Sequence, residues 1–308
     1  MNDIQQMAQA IITAHQPRFG DAQPQLDAPM AFTSTAPVYQ AAKQASAALG
    51  FIEADAQCLA LAWQAQSERT GAFDAMAWPC EPQDFGMGDF PPATRERGFA
   101  RSPDRLGLYA VLPDAAWVGR IARAGVPTVQ LRFKSDDAGT IGREVQAAVE
   151  AVQGTGALLF INDHWEAAMA AGAYGVHLGQ EDLDALGTTQ RARLNASGLR
   201  LGVSTHGYAE MVRADAVSPS YIAMGAVFPT TLKRMATAPQ GLARLHAYAR
   251  LMRGYSQVAI GGIDAQSLPA VLGSGVGSAA VVRAIVGADD PEAACSRLIE
   301  IFEANVRR

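Results

Sequence analysis

Residues 128–178 decide the fold, and they read TVQLRFKSDDAGTIGREVQAAVEAVQGTGALLFINDHWEAAMAAGAYGVHL. Three short apolar runs in this stretch have the length and composition of buried strands. They are residues 128–132, 158–161 and 175–178. The two runs between them have the longer apolar spacing of helices, and they are residues 140–153 and 164–171. Strict alternation of strands and helices is typical of parallel strands joined by right-handed crossovers.

The same alternation extends over residues 105–308 and gives eight strand–helix units in about 200 residues. The other predicted strands are residues 106–112, 200–204, 221–224, 257–260 and 278–282. Eight units predict an α/β fold of the closed (β/α)8 type, a TIM barrel near the lower end of its size range. An open, doubly wound sheet is the alternative, but no G-x-G-x-x-G follows the first strand.

The first 104 residues do not follow this pattern. Apolar residues at helical spacing predict a helix over residues 1–15, and an alanine-rich stretch over 38–66 predicts two helices divided near Gly50. Residues 71–104 are rich in proline and glycine, which indicates a loop or linker. We therefore expect a mainly helical N-terminal extension, residues 1–104, before a barrel domain, residues 105–308.

Composition limits the possible functions. The chain has 308 residues, of which 49% are hydrophobic and 18% charged, as expected of a folded globular protein. Its net charge of −5 gives no electrostatic footprint for nucleic acid, so local cations must hold any anionic ligand. Three dispersed cysteines and no apparent signal peptide or membrane-spanning run favour a cytoplasmic location.

Polar side chains follow the second strand. Gln130, Arg132 and Lys134 alternate with apolar residues, so we expect all three on one side of the strand. The carboxyl ends of the strands form the active face of such barrels, which would make these side chains ligands for an anion. The alternative is a solvated strand end with an incidental Arg and Lys.

Two carboxylates follow adjacent strands. Asp163 comes directly after the third strand, and Asp182 lies four residues beyond the end of the fourth. One or two carboxylates, completed by water and substrate phosphates, suit Mg²⁺. The alternative is that Asp163 caps the helix that starts at His164.

Ser204 ends the fifth strand, where its hydroxyl could cap a helix, bind phosphate, or do both. No G-x-S-x-G motif marks a serine nucleophile. His177 and His206 lack the spacing of metal ligands, so we expect them to be hydrogen-bonding residues. We also expect no catalytic pair of a histidine with a carboxylate.

The last three strands end in segments suited to phosphate. The loop after strand six, with Thr230, Thr231, Leu232 and Lys233, is long enough to be a mobile lid. Gly262 and the turn at Val282 and Arg283 occupy the usual phosphate corner of these barrels, where glycine lets backbone N–H groups approach a phosphate. The Gly-Gly pair could also be only a tight turn.

At these residues the chain strongly resembles the thiamine-phosphate synthase (thiamine monophosphate pyrophosphorylase) family. That family has, in order, V-Q-L-R-x-K, I-N-D, H-L-G-Q-x-D, G-V-S-x-H, P-T-x-T-K and I-G-G-I. The matching segments are residues 129–134 (VQLRFK), 161–163 (IND), 177–182 (HLGQED), 202–206 (GVSTH), 229–233 (PTTLK) and 260–263 (IGGI). The resemblance covers about residues 105–305.

The resemblance implies a transferase of thiamine biosynthesis with Mg²⁺ as cofactor and two small-molecule substrates. These are the diphosphate ester of 4-amino-2-methyl-5-hydroxymethylpyrimidine and the phosphate of 4-methyl-5-hydroxyethylthiazole. The residues implied for the pyrimidine diphosphate are Gln130, Arg132, Lys134, Asn162, Ser204 and Lys233, with Mg²⁺ on Asp163 and Asp182. Those implied for the thiazole phosphate are Thr230, Thr231, Leu232, Gly262, Val282 and Arg283.

Two residues depart from the family pattern. Leu232 stands where the family has its second threonine, and Arg283 stands where it has a serine. An arginine can offer a bidentate contact to phosphate, so we predict that Arg283 compensates for the missing hydroxyl.

Other functions remain open from the sequence alone. They are a thiazole-phosphate isomerase-like or regulatory relative, a thiamine-phosphate-binding protein, and a barrel acting on sugar phosphates or indole precursors. Residues 47–56 faintly resemble the end of the pyrimidine kinase that acts one step earlier, without a phosphate-binding loop. We expect the extension to cover the barrel or to mediate assembly, such as a homo-oligomer.

Overall fold

The strands form a closed, parallel barrel in the computed structural model, which describes residues 2–20, 31–90, 92, 98–230 and 238–306. The strands are β1 (Gly107–Leu112), β2 (Thr128–Leu131), β3 (Leu158–Asn162), β4 (Gly175–Leu178), β5 (Arg200–Thr205), β6 (Tyr221–Met224), β7 (Ser256–Ile260) and β8 (Ser278–Val281). Each strand pairs with the next, and β1 pairs with β8 to close the ring. The predicted (β/α)8 fold is confirmed, and the open sheet is wrong.

Within the described residues, three α-helices precede the barrel, and the other α-helices surround it. The first three are α1 (Asp3–Phe19), α2 (Pro37–Ala48) and α3 (Glu53–Thr70). The others are α4 (Ala115–Arg123), α5 (Ala138–Ala151), α6 (Trp165–Ala171), α7 (Gln180–Ala185), α8 (Thr188–Ala196), α9 (Tyr208–Asp215), α10 (Gly241–Leu251), α11 (Leu268–Leu272), α12 (Arg283–Val286) and α13 (Pro291–Val306).

Two helices differ from the sequence-based expectation. The predicted single helix over residues 183–194 is divided into α7 and α8, because Leu186 and Gly187 have extended backbones. The Gly187 N–H is satisfied by the Gln190 side chain at 2.8 Å, so a new helix starts there. Helix α12 has four residues, too few to produce a periodic pattern.

Alternate strand residues fill the barrel interior. Tyr109, Phe160 and Tyr221 pack there with aliphatic side chains from other strands, whereas residues such as Val129 face the surrounding helices. Gly202 makes room for the Tyr221 ring, since a Cβ atom at that position would lie 2.1 Å from Tyr221 Cζ. The interior is therefore a packed core rather than a pore.

The extension packs against the side of the barrel. As predicted, helices form before and after Gly50, which has a φ of +80°. Most of the described residues between 71 and 104 are irregular, apart from a 3-10 helix, Pro82–Phe85. Trp78 donates a hydrogen bond from Nε1 to Tyr208 Oη at 3.0 Å, and Phe85 stacks on the same tyrosine. None of the described helices is long and apolar enough to cross a bilayer.

Candidate active site

Strand β2 and the loop after it carry the first group of predicted residues. Gln130 lies in the strand and is buried, with its side chain directed into the barrel. The strand ends at Leu131, so Arg132 and Lys134 belong to the loop rather than to the strand. The Arg132 N–H still donates to Leu112 O at 2.8 Å, which holds this residue at the rim. Arg132 is half-buried and Lys134 is exposed.

Asn162 is the last residue of β3, and Asp163 after it has a left-handed backbone with a φ of +64°. The Asp163 N–H donates to His177 O at 3.0 Å, and its carbonyl accepts from the Trp165 N–H at 2.8 Å. His164, not Asp163, is the cap residue of α6, and it makes no side-chain cap bond. The capping interpretation of Asp163 is therefore wrong.

The carboxyl groups of Asp163 and Asp182 lie side by side at the rim. Asp182 stands in the first turn of α7 and is exposed, whereas Asp163 is half-buried. Burial and the neighbouring Asp182 carboxylate raise the pKa of Asp163, while His164 and Arg132 lower it. Two adjacent carboxylates attract a divalent cation, because a cation removes their mutual repulsion.

This donor set fits Mg²⁺ better than a transition metal. Among the residues that the structure describes, no group of three or more His, Cys, Asp or Glu side chains could hold a metal ion. Mg²⁺ needs only one or two carboxylates and takes its remaining oxygens from water and phosphates. Asp163 and Asp182 would be those two ligands.

A chain of hydrogen bonds crosses the barrel interior and ends at Ser204. Gln130 Nε2 donates to Tyr109 Oη at 3.1 Å, and Tyr109 Oη lies 2.9 Å from Tyr221 Oη. Tyr221 Oη lies 2.7 Å from His177 Nδ1, and His177 Nε2 lies 2.8 Å from Ser204 Oγ. Five side chains from five different strands are thus linked in series.

The hydrogen bonds can be assigned one continuous direction that starts from the Gln130 amide, and this is the assignment that we adopt. Tyr109 then donates to Tyr221, Tyr221 donates to His177 Nδ1, and His177 donates from Nε2 to Ser204. Burial raises the pKa of both tyrosines, so they remain neutral donors. The hydroxyl proton of Ser204 is left to point at a ligand in the site.

Sequence reasoning missed Tyr109 and Tyr221. Their signal was the alternation within β1 and β6, which directs both rings inward, together with Gly202 opposite one of them. His177 was expected to be a hydrogen-bonding residue, and the structure confirms it.

Ser204 is not a helix cap, because Gly207 occupies that position before α9. His206 is a hydrogen-bonding residue as expected, with Nδ1 2.7 Å from Glu210 Oε2. The expectation of no catalytic histidine–carboxylate pair concerns a pair that acts on substrate, and it stays a prediction. The same Glu210 oxygen accepts the His206 N–H at 2.9 Å, so this pair closes the turn into α9.

The glycine turn after β7 lies against the segment before Thr230. Gly261 and Gly262 have φ values of +108° and +66°, and the Phe228 N–H donates to Gly261 O at 3.0 Å. A Cβ atom on Gly262 would lie 2.8 Å from both Phe228 Cβ and Pro229 O. Glycine is thus required both by the turn and by the close approach of the next loop.

The remaining predicted residues fall into two groups. Val282 is half-buried between β8 and α12, and Arg283 is exposed as the first residue of α12. Thr231, Leu232 and Lys233, with the central part of the predicted lid, lie outside the described residues. The substrate-binding roles of all these residues stay predictions.

Known proteins resemble the barrel closely. The family model for thiamine monophosphate synthase matches residues 108–285. A thiamine-phosphate synthase of Neisseria meningitidis serogroup B is 53% identical over 199 residues, which are 65% of this chain and 94% of that protein. One of Serratia proteamaculans is 48% identical over 205 residues, 67% of this chain and 95% of that protein.

A solved structure agrees with these relatives. Thiamine phosphate pyrophosphorylase from Pyrococcus furiosus superimposes with a TM-score of 0.59 at 28% identity, covering 66% of this chain and 98% of that one. Since the alignments take up nearly all of each relative, about a hundred residues of this chain have no counterpart in them. Family match, barrel and rim residues agree, and the chain belongs to the thiamine monophosphate synthase family.

Proposed function

We propose that this chain is a thiamine-phosphate synthase, which joins the pyrimidine diphosphate to the thiazole phosphate and releases pyrophosphate. The observation that carries this proposal is the Asp163–Asp182 pair beside Arg132, at the same rim as Ser204. A diphosphate ester with a divalent cation matches that combination of charges. The relatives named as this enzyme at about 50% identity support the same reaction.

The reaction exchanges one bond for another. The bond between the pyrimidine methylene carbon and the diphosphate oxygen breaks, and its electron pair leaves with pyrophosphate. The lone pair of the thiazole nitrogen then forms the new C–N bond. We propose a dissociative order, in which the pyrimidine ring stabilises a transient cation before the thiazole attacks.

The main requirement for catalysis is to stabilise the negative charge that develops on the leaving group. Arg132 at the rim, with Lys134 and Lys233, would neutralise the negative charge that develops on pyrophosphate. Mg²⁺ held by Asp163 and Asp182 would supply further positive charge to the same oxygens. Gln130, Asn162 and Ser204 would orient the pyrimidine diphosphate, with Ser204 donating the proton left available by His177.

The thiazole nitrogen attacks through a lone pair, so no base has to remove a proton from it. His177 is held between Tyr221 and Ser204, so it acts as a link in the hydrogen-bonded chain rather than as a base. His206 is likewise engaged by Glu210. Catalysis on this account rests on placing the two rings together and on excluding water from the cation.

The thiazole phosphate would lie at the opposite part of the rim. Gly262 lies against Phe228 and Pro229, which directly precede Thr230 in sequence, and α12 begins at Arg283 after β8, the strand that pairs with β7. Thr231, Leu232 and Val282 would complete the pocket. We propose that the Arg283 guanidinium supplies the contact that a threonine at position 232 would have made.

The experiment follows thiamine phosphate as its fluorescent oxidation product, with both substrates, in Mg²⁺ and then in excess EDTA. We expect metal-dependent product from the wild-type chain and a large loss in Asp163→Asn. Glu181→Gln is the matched control, since Glu181 is an exposed acid in the same turn as Asp182. Calorimetric binding of the substrates without product would contradict the proposal and favour the carrier alternative.

A further inference from the structure

The N-terminal extension reaches into the barrel at one buried carboxylate. Asp55, in the first turn of α3, is 3% exposed, and its Oδ1 accepts the Ala209 N–H at 2.9 Å. It also accepts from the Tyr208 N–H. These are the first two residues of α9, whose cap residue, Gly207, has no side chain. The barrel helix thus receives its N-terminal cap from a residue 154 positions earlier.

Gly207 and Asp55 fit each other. A Cβ atom on Gly207 would lie 2.1 Å from Asp55 Oδ2 and 2.6 Å from Oδ1. The backbone of Gly207 is extended, with a φ of −178°, so any residue could adopt it. The need for glycine here therefore comes from the carboxylate of the extension and not from the backbone.

In a second contact, a side chain of the barrel binds the extension. Arg244 of α10 is 8% exposed and donates to Gly50 O at 2.7 Å, just beyond the end of α2. Its guanidinium lies 4.2 Å from the centre of the Phe51 ring. Gln240, which precedes α10, donates its N–H to Ala226 O at 2.8 Å and accepts from Tyr248 Oη at 3.1 Å. The start of α10 is therefore fixed both to the end of β6 and to the extension.

Both contacts lie close in sequence to segments that carry residues of the proposed site. Ser204 is three residues before Gly207, and the loop that carries Thr230 leads to α10. We infer that the extension is a positioning element for catalysis, in which Asp55 holds the start of α9 and so the placement of Ser204. Arg244 holds the start of α10 in the same way. This inference rests on the proposed function only for the identity of the substrates.

The extension has no counterpart in the two relatives compared above. Their alignments leave no room for a segment of a hundred residues, so the extension is not needed for the barrel fold in general. Here, however, α9 has no side-chain cap of its own. The cap of α9 in this chain therefore comes from a group outside residues 108–285, the part that the family model matches.

The test uses the full chain and moves the cap from one residue to another. Asp55→Ala removes the carboxylate, and we expect kcat/KM for the pyrimidine diphosphate to fall about fivefold, the equivalent of a lost N-cap. Asp55→Ala combined with Gly207→Ser gives α9 a local cap in the vacated space. This double variant should regain the wild-type KM and kcat as well as the wild-type melting temperature.

Two single variants complete the set. Gly207→Ser alone places its side chain against the Asp55 carboxylate, so it should be worse than the double variant. Glu68→Ala is the matched control, because Glu68 is an exposed acid of the same helix α3 that accepts from Gln64 in that helix. It should leave both the melting temperature and the kinetics unchanged.

The outcome that overturns the inference is a lower melting temperature for Asp55→Ala with KM and kcat unchanged at a temperature where the variant is folded. Asp55 would then stabilise the fold without positioning the site. Failure of the proposed function is recognised separately, as absence of product from the wild-type chain. In that case the coupling between positions 55 and 207 is still measured by melting, and Ser204 placement by calorimetric binding of the pyrimidine diphosphate.

Discussion

Tyr221→Phe cuts the hydrogen-bonded chain through the barrel at its middle. The ring stays, so the space above Gly202 remains filled, and only the hydroxyl is lost. Its loss removes bonds of 2.9 Å to Tyr109 and 2.7 Å to His177, both of which are buried. Each buried polar group that loses a partner costs about 1–3 kcal/mol. With two such groups, we expect the free energy of unfolding to fall by about 2–6 kcal/mol, measured by urea denaturation.

The same variant should affect catalysis through Ser204. Without the Tyr221 hydroxyl, the His177 ring is no longer held in the tautomer that donates from Nε2. The Ser204 hydroxyl then loses its fixed direction. We expect kcat/KM for the pyrimidine diphosphate to fall about tenfold, equivalent to ~1.4 kcal/mol. Because both changes act on one contact, Tyr221→Phe and Ser204→Ala should not be additive in a double-mutant cycle.

The control is Tyr174→Phe. Tyr174 lies outside the hydrogen-bonded chain, and its ring packs on Phe160 with 5.4 Å between the ring centres. It should change stability by no more than about 0.5 kcal/mol. Fully additive effects of Tyr221→Phe and Ser204→Ala on kcat/KM would refute the reasoning, as would an unchanged free energy of unfolding in Tyr221→Phe.

Three further predictions follow from single contacts. Gly202→Ala places a Cβ atom 2.1 Å from the Tyr221 ring and should destabilise the fold by at least ~1–3 kcal/mol in urea; a neutral result would contradict the packing. Burial raises the pKa of Asp55 from 3.8 to about 6, although the Ala209 N–H and Arg244 lower it, so ionising this buried carboxyl costs the fold stability as the pH rises from 3.8 through 6, while the hydrogen bonds of the cap remain. Relative to Asp55→Asn, the wild type should lose about 2 kcal/mol of unfolding free energy between pH 4 and 7, and a pH-independent difference would exclude this. Arg283→Ser should raise the KM for the thiazole phosphate about tenfold, and an unchanged KM would remove Arg283 from that pocket.

The barrel could be predicted from the sequence because its strands and helices have different apolar periods. Strand positions agreed to within one or two residues, as at β4 and β6, where short apolar runs are bounded by polar or glycine residues. The carboxylates were found because each follows a strand directly or within four residues. Chain order alone places such residues at one rim once the barrel closes.

The hydrogen-bonded chain could not be predicted, because it depends on which inward side chains meet across the interior. Tyr109 and Tyr221 lie 112 residues apart and resemble ordinary core aromatics in the sequence. The backbone of Asp163 was equally hidden, since its positive φ is imposed by the bonds to His177 and Trp165. Asp55 looks like a common first-turn acid of a helix, and only the docking of α3 on α9 reveals its partner.

The cap that Asp55 provides has a consequence during synthesis of the protein. Residue 55 leaves the ribosome long before residue 209, and at 5–20 residues per second the interval is about 8–30 s. During this time the extension has neither α9 to receive the carboxylate nor α10 to supply Arg244. Phe51 and Trp78, which pack on each other, cannot yet make their contacts with Tyr208. The contacts between the extension and the barrel are therefore complete only after Arg244, when about four fifths of the protein has been made.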